Sequence, residues 1–300
     1  MDGLVVADKP GGKTSCWAVS QVKRILAENK AGHAGTLDPL ATGVLVIGLG
    51  FATRILKYIE SFDKEYTGVI RLGLTTDTDD AEGRITGESP VPEVTREKWD
   101  AVLRSFTGRL MQTPPRYSAI KMSGERAYDR ARRGEVFEMK SREITIHALE
   151  LTRWDAAACQ AEVKVRCSKG TYIRSLARDI GGVLGCGGHL ISLRRDRIGP
   201  FSLGKAVRLS GSAPVAERGE VLAAMMPLES ALTGLDCLFA DAGKEGALVR
   251  GQAVLLEEGQ AAAGREVLVK TADGAPLCLG RVDLEGGKSV LRPVRMLKGA

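Results

Sequence analysis

The sequence is short of paired cysteines, of histidines and of long apolar runs. Its six cysteines (Cys16, Cys159, Cys167, Cys186, Cys237 and Cys278) include no Cys-x-x-Cys pair, and its only histidines are His33, His147 and His189. That spacing excludes the common structural zinc sites. The thiols are expected to be free and to serve as small apolar groups. The longest unbroken apolar stretch, residues 43–52, falls far short of the roughly 20 residues that span a membrane. The N-terminus has neither the basic start nor the long apolar region of a secretory signal. A cytoplasmic protein without membrane contact is the expectation.

What is present describes an ordinary globular chain. At 300 residues, 44% hydrophobic and 27% charged, it can bury one large core, or one large and one small. The formal charge of +6 is unevenly spread. Residues 232–300 carry nine basic and nine acidic side chains, so the excess lies upstream. Residues 116–142 hold eight basic against four acidic, and residues 164–197 eight against two. Either stretch could be an electrostatic footprint for nucleic acid or simply a solvated surface.

Periodicity predicts an opening strand over 4–7, then a helix capped by Thr14 or Ser15, with Val19, Val22, Ile25 and Leu26 recurring at helical spacing. A β-branched apolar run over 43–49 reads as a strand, and 51–59 has helical spacing. Tyr66, Gly68, Ile70 and Leu72 share one face of the next strand, which ends in an acidic loop over 75–83. Thr95 caps a helix reaching about Phe106. After Pro114-Pro115, a basic stretch over about 114–142 reads as an insertion over the body. Strands fit 144–152 and 161–167, and a helix fits 171–184, stopped by Gly185. Beyond about 210 the texture becomes Gly- and Ala-rich with short strand-like runs at 267–269, 277–279 and 290–294. The expected division is therefore a main domain over 1–231 and a small β-rich domain over 232–300.

The sharpest local feature is Gly32-His33-Ala34-Gly35-Thr36-Leu37-Asp38-Pro39-Leu40-Ala41-Thr42-Gly43. Three glycines and one proline constrain a loop that carries a carboxylate, an imidazole and two hydroxyls into a strand. Asp38-Pro39 can be read locally as a simple turn start or as a held catalytic carboxylate.

This loop closely resembles the catalytic loop of TruB-type pseudouridine synthases, which modify uridine 55 in the T loop of tRNA. The family's run is Gly-His-x-Gly-x-Leu-Asp-Pro-x-Ala-x-Gly, with the aspartate as nucleophile, and Asp38 matches it. Asp8-Lys9-Pro10 resembles the family's opening motif, Lys64-Glu65-Tyr66 its tyrosine-bearing strand, residues 75–83 its acidic loop, and residues 167–174 the segment bringing in an active-site arginine. The resemblance covers some 200 residues in family order.

The resemblance implies an α+β catalytic domain on a mixed or antiparallel sheet, followed by a small PUA-like β domain. Asp38, Tyr66 and Arg174 are implied as catalytic: nucleophile, stacking and proton-handling residue, and ion-pair partner that keeps Asp38 ionised. His33 is implied as an RNA contact. Lys9, Lys169, Tyr172, Arg116 and Arg132 are expected to contact RNA or, for the lysines, to brace the site. The reaction is an isomerisation, so no cofactor and no metal are expected. The expected partner is the T-arm of tRNA, its target base flipped out of the stack, with no obligate protein partner and a monomeric chain.

Two rival motifs fail on their residues. Gly48-Leu49-Gly50-Phe51-Ala52-Thr53 has the setting of a dinucleotide-binding turn but lacks its third glycine, and the next strand ends in Arg71-Leu72-Gly73 without the acidic residue. A calcium loop starting at Asp77 would place Ala81 at a ligand position and Glu82 where glycine is needed. A non-catalytic RNA-binding protein on the same scaffold is the remaining alternative; Asp38 argues against it, since binding a polyanion needs no carboxylate.

Overall fold

The computed structural model describes residues 1–122, 124–209, 214–257 and 260–297. Strand β1 (Gly3–Lys9) leads to helix α1 (Ser15–Leu26), whose first turn is capped by Thr14 Oγ1 accepting from Trp17 N at 3.0 Å. Strands β2 (Ala31–Ala34) and β3 (Thr42–Leu49) flank the Asp38 loop. The helical spacing over 51–59 becomes a 3-10 turn, Gly50–Ile55, and a short helix α2 (Leu56–Ser61), neither with a side-chain cap. Strand β4 (Lys64–Leu72) alternates buried and half-buried residues, with Tyr66, Gly68, Ile70 and Leu72 on the covered face as the spacing predicts. The acidic loop is the turn of a hairpin, β5 (Leu74–Thr76) with β6 (Ile85–Glu88).

Helix α3 (Arg96–Ser105) starts at Thr95, and strand β7 (Gly108–Gln112) follows. The basic insertion folds as a small hairpin, β8 (Lys121–Met122) with β9 (Glu125–Arg126), and helix α4 (Ala127–Arg132). Strands β10 (Arg142–Asp155) and β11 (Gln160–Cys167) precede helix α5 (Ile173–Leu184), which ends at Gly185 in the left-handed region, φ 79°. Strand β12 (Gly188–Ile198), the two-residue β13 (Phe201–Ser202) and β14 (Val207–Arg208) complete the main sheet.

That sheet is mixed, with order β14-β1-β3-β12-β4-β11-β10-β7, and β2 and β13 alongside. The β1–β14 and β3–β12 pairs are parallel, and the others along that order antiparallel. Helices α1, α3 and α5 cover one face, packing Val22, Trp99 and Leu176 into a core with Val5, Ile47, Ile70 and Val163. Strands β1 and β3 are buried on both faces, which is why 43–49 reads as a continuous apolar run and not as an alternation. Their far side, Leu4, Val6, Val44 and Val46, packs with Ile55 and Ile59 and with Leu268, Leu279 and Leu297 from the C-terminal region.

The C-terminal region forms a second sheet of five strands: β15 (Asp236–Ala240), β16 (Val254–Leu255), β17 (Glu266–Thr271), β18 (Pro276–Glu285) and β19 (Lys288–Met296), in the order β15-β17-β18-β19-β16. Arg54 Nη1 donates to Met296 O at 2.6 Å and Tyr58 to Glu266 Oε2 at 2.8 Å, tying this sheet to the segment after β3. No helix among the described residues is long and apolar enough to cross a membrane.

Candidate active site

The Asp38 loop is held on both sides of its carboxylate. Ser15, 2% exposed, accepts from Leu37 N at 2.9 Å and donates to Leu37 O at 3.1 Å. Pro39 O accepts from Gly12 N at 2.8 Å, and Asp38 O from Ala41 N at 3.1 Å. Glycine is required at both ends. Gly35 sits at φ +72°, and at Gly43, φ +99°, a Cβ would stand 2.3 Å from Arg195 O. The strands can therefore approach there only without a side chain.

Lys9 is fully buried and donates to Pro10 O at 2.8 Å, Lys13 O at 2.5 Å and Pro39 O at 3.3 Å. Burial pushes its ammonium down to about 8, opposed by the charges of Asp38 and Glu82. Of the two roles expected of Lys9, this placement is that of a brace under the loop. A group with no exposed surface is not placed to meet a phosphate.

Arg174 comes from the first turn of α5 and is 4% exposed. Its Nε and Nη2 lie 2.8 and 3.1 Å from the two oxygens of Asp38. The same guanidinium donates to Thr78 O and Tyr117 O, both at 3.0 Å, and lies 3.4 Å from Asp80 Oδ2. One buried cation thus ties α5 to three other chain segments: the Asp38 loop, the acidic hairpin turn and the basic insertion. Asp80, 3% exposed, is completed by Thr78 Oγ1 at 2.6 Å and Glu82 N at 3.0 Å.

The helix carrying Arg174 begins at Ile173, two residues later than its apolar spacing predicts. Tyr172 stays extended because the buried Gln112 holds its backbone twice, accepting from Tyr172 N at 2.8 Å and donating to Tyr172 O at 3.0 Å.

Tyr66, 9% exposed, stands on β4 directly opposite Arg195 of β12. Burial pushes its phenol up, and the adjacent Arg195 guanidinium works against that shift. His33 lies on β2, opposite Ile47 of β3, its Nδ1 buried without a partner. Burial, then the charge of Arg195, push its imidazole down, so it is neutral at pH 7.

The fold pairs Asp38 with Arg174 and brings Lys9 and Tyr66 within range of the Asp38 charge, with His33 on the strand that leads into the loop. Two residues there escape a reading of the sequence. Asp80 is one of several acids in its loop, and nothing local marks it as the one that reaches Arg174. Arg195 is one of eight basic residues in 164–197, and its burial at 1% exposure is a tertiary fact.

The remaining RNA-contact candidates lie further out. Lys169 is exposed, and Tyr172 is half-buried beneath the Arg142 guanidinium, 4.8 Å from the ring centre. In the insertion, Arg116 lies over Phe137 at 5.1 Å and Arg132 over Tyr128 at 5.4 Å. These stacks order the arginines on rings, a way of presenting charge to a polyanion.

The domain model for the N-terminal part of TruB family pseudouridylate synthases matches residues 23–173, and that for the C-terminal domain of tRNA pseudouridylate synthase B matches residues 174–233. The chain belongs to the TruB family of pseudouridylate synthases. It is 40% identical over 300 residues to tRNA pseudouridine synthase B of Xanthomonas oryzae pv. oryzae, covering 100% of this chain and 95% of that one. It is 46% identical over 242 residues to tRNA pseudouridine synthase B of Thermobifida fusca, covering 78% of this chain and 83% of the relative. Among solved structures, this TruB-family chain resembles one from a Cbf5-Nop10-Gar1 complex, with a TM-score of 0.70 and 26% identity over 99% of this chain and 85% of the other. Another neighbour, from an H/ACA ribonucleoprotein bound to a substrate RNA containing 2′-deoxyuridine, gives a TM-score of 0.71 at 24% identity, with 99% and 85% covered, and supports the fold.

Proposed function

We propose that this protein isomerises uridine 55 in the T loop of tRNA to pseudouridine, with Asp38 as the nucleophile. The observation that carries the reading is the Asp38 carboxylate, 31% exposed at its side chain and gripped by the buried Arg174 guanidinium. A carboxylate with one open side and one charge-paired side is oriented for attack. The curated relatives named tRNA pseudouridine synthase B support tRNA as the substrate.

In the reaction the bond between uracil N1 and ribose C1′ breaks, the freed base turns, and C5 bonds to C1′. The hydrogen leaves C5 and a proton is returned at N1, so atoms and electrons balance without a cofactor. Asp38 attacks C1′, or removes the ribose proton in the glycal route, while Tyr66 stacks on the base and handles the C5 proton. The target uridine leaves its stack to enter, at a cost of a few kcal/mol. The insertion with Arg116 and Arg132, the exposed Lys169, and Tyr172 supply the surface for the T-arm, and His33 contacts the RNA as a neutral group. The catalytic unit spans residues 1–231, with residues 232–300 as an appended domain that docks on β1 and β3.

The test is tritium release from tRNA transcripts labelled at uracil C5, comparing wild type with Asp38→Asn and mapping the product. Release at the T-loop uridine that vanishes in Asp38→Asn is expected. Binding of tRNA without release would overturn the catalytic assignment in favour of a binding protein.

A further inference from the structure

The buried guanidinium of Arg195 is not used by the mechanism above. It is 1% exposed, and its two hydrogen bonds to the backbone end on neutral carbonyls: Nε on Val44 O at 2.8 Å and Nη2 on Gly35 O at 2.9 Å. A buried cation answered by carbonyls alone is costly, and such a cost persists where the charge has a use. Its third nitrogen is free of these anchors, and Nη1 lies 3.3 Å from where a Gly35 side chain would begin. Across the β4–β12 pair, Arg195 and Tyr66 are direct partners, so both side chains stand on the same face at close range. The guanidinium is close enough for its charge to oppose the upward shift that burial imposes on the phenol.

We propose that Arg195 is the positioning residue of Tyr66: clamped to Gly35 and Val44, it donates to the phenol oxygen and so turns the phenolic hydrogen away from itself. A phenol oxygen that accepts from a fixed donor keeps its own O–H for one direction only. The same buried charge favours any phenolate that forms as a proton moves. This inference rests on the pseudouridine-synthase reading, since it concerns the proton-handling step of that reaction.

The experiment is a double-substitution cycle in the full chain, read as single-turnover tritium release followed over hours, alongside tRNA affinity by filter binding. Arg195→Gln is expected to slow the single-turnover rate roughly 100-fold while tRNA affinity stays within about threefold. In a Tyr66→Phe background the same change is expected to cost less than about threefold more, because the group it acts through is gone. Arg195→Lys, which keeps a charged donor, is expected to recover about tenfold of the loss. Equal losses in both backgrounds, or a wild-type rate in Arg195→Gln, would overturn the proposal. So would a failure of lysine to recover any rate. Should Arg195→Gln fail to fold, the same cycle run with Arg195→Lys decides by the same criterion. Absence of release by the wild type is a different result, and it removes the pseudouridine reading itself.

Discussion

Replacing Arg174 by methionine keeps much of its length and removes its charge, leaving two carboxylates unanswered. Asp38 can turn partly to water, since its side chain is 31% exposed, so most of the damage falls on Asp80, whose side chain is 4% exposed. Removing one partner of a buried ion pair costs about 3–5 kcal/mol. With two carbonyls also losing their donor, and with Asp38 discounted for solvent, about 3 kcal/mol is expected. In a chain of this size that lowers Tm by roughly 6–12 °C. Adding Asp80→Asn should then restore several degrees, because the amide still accepts from Thr78 Oγ1 and Glu82 N but buries no charge. Tritium release should fall by roughly 1,000-fold in both variants, since neither holds Asp38. Calorimetry and the release assay read the two effects separately. A double variant no more stable than Arg174→Met alone would refute the view that an unpaired Asp80 charge carries the cost.

Further outcomes follow from other contacts. Gly43→Ala forces a Cβ against Arg195 O at a positive φ, and about 3 kcal/mol or more of stability should be lost by urea unfolding. Gln112→Ala leaves the Tyr172 N–H without a partner and takes one of two donors from its carbonyl, which still accepts from Leu176 N; this should cost about 2 kcal/mol and lower kcat more than it raises KM, because the start of α5 loosens. The Lys9 ammonium titrates near 8 in the fold against 10.5 when free, so between those values the unfolded chain binds more protons on this group. Its contribution therefore makes stability rise with pH across that window, and in Lys9→Met the rise measured by urea unfolding at pH 8 and pH 10 should shrink. Arg116→Ala and Arg132→Ala should each reduce the salt dependence of tRNA binding by about one ion, whereas His33→Gln, replacing a neutral group, should leave that slope unchanged.

Several elements were legible because their causes are local. Thr14, one of two candidates, caps the first helix, Thr95 caps the helix it was expected to cap, Gly185 stops α5, and β4 alternates as its spacing predicts. Strand β12 was not anticipated, because its buried run over 188–190 passes into Arg194, Arg195, Asp196 and Arg197, which obscures any simple alternation. Strands β2 and β7 were missed because both are short: β2 is drawn into the sheet by pairing with β3 across the Asp38 loop, and β7 by pairing with β10 beyond the basic insertion.

By itself the sequence determined the backbone of the Asp38 loop and the likeness that singles out Asp38, Tyr66 and Arg174, since glycine and proline restrict φ wherever they stand and a motif is contiguous. Only the tertiary structure decided that Arg174 answers Asp80 as well as Asp38, that Lys9 is a brace, and that Arg195 is buried opposite Tyr66. Those facts join residues 30 to 136 positions apart, and a charge acquires its partner and its dielectric only when the sheet closes around it.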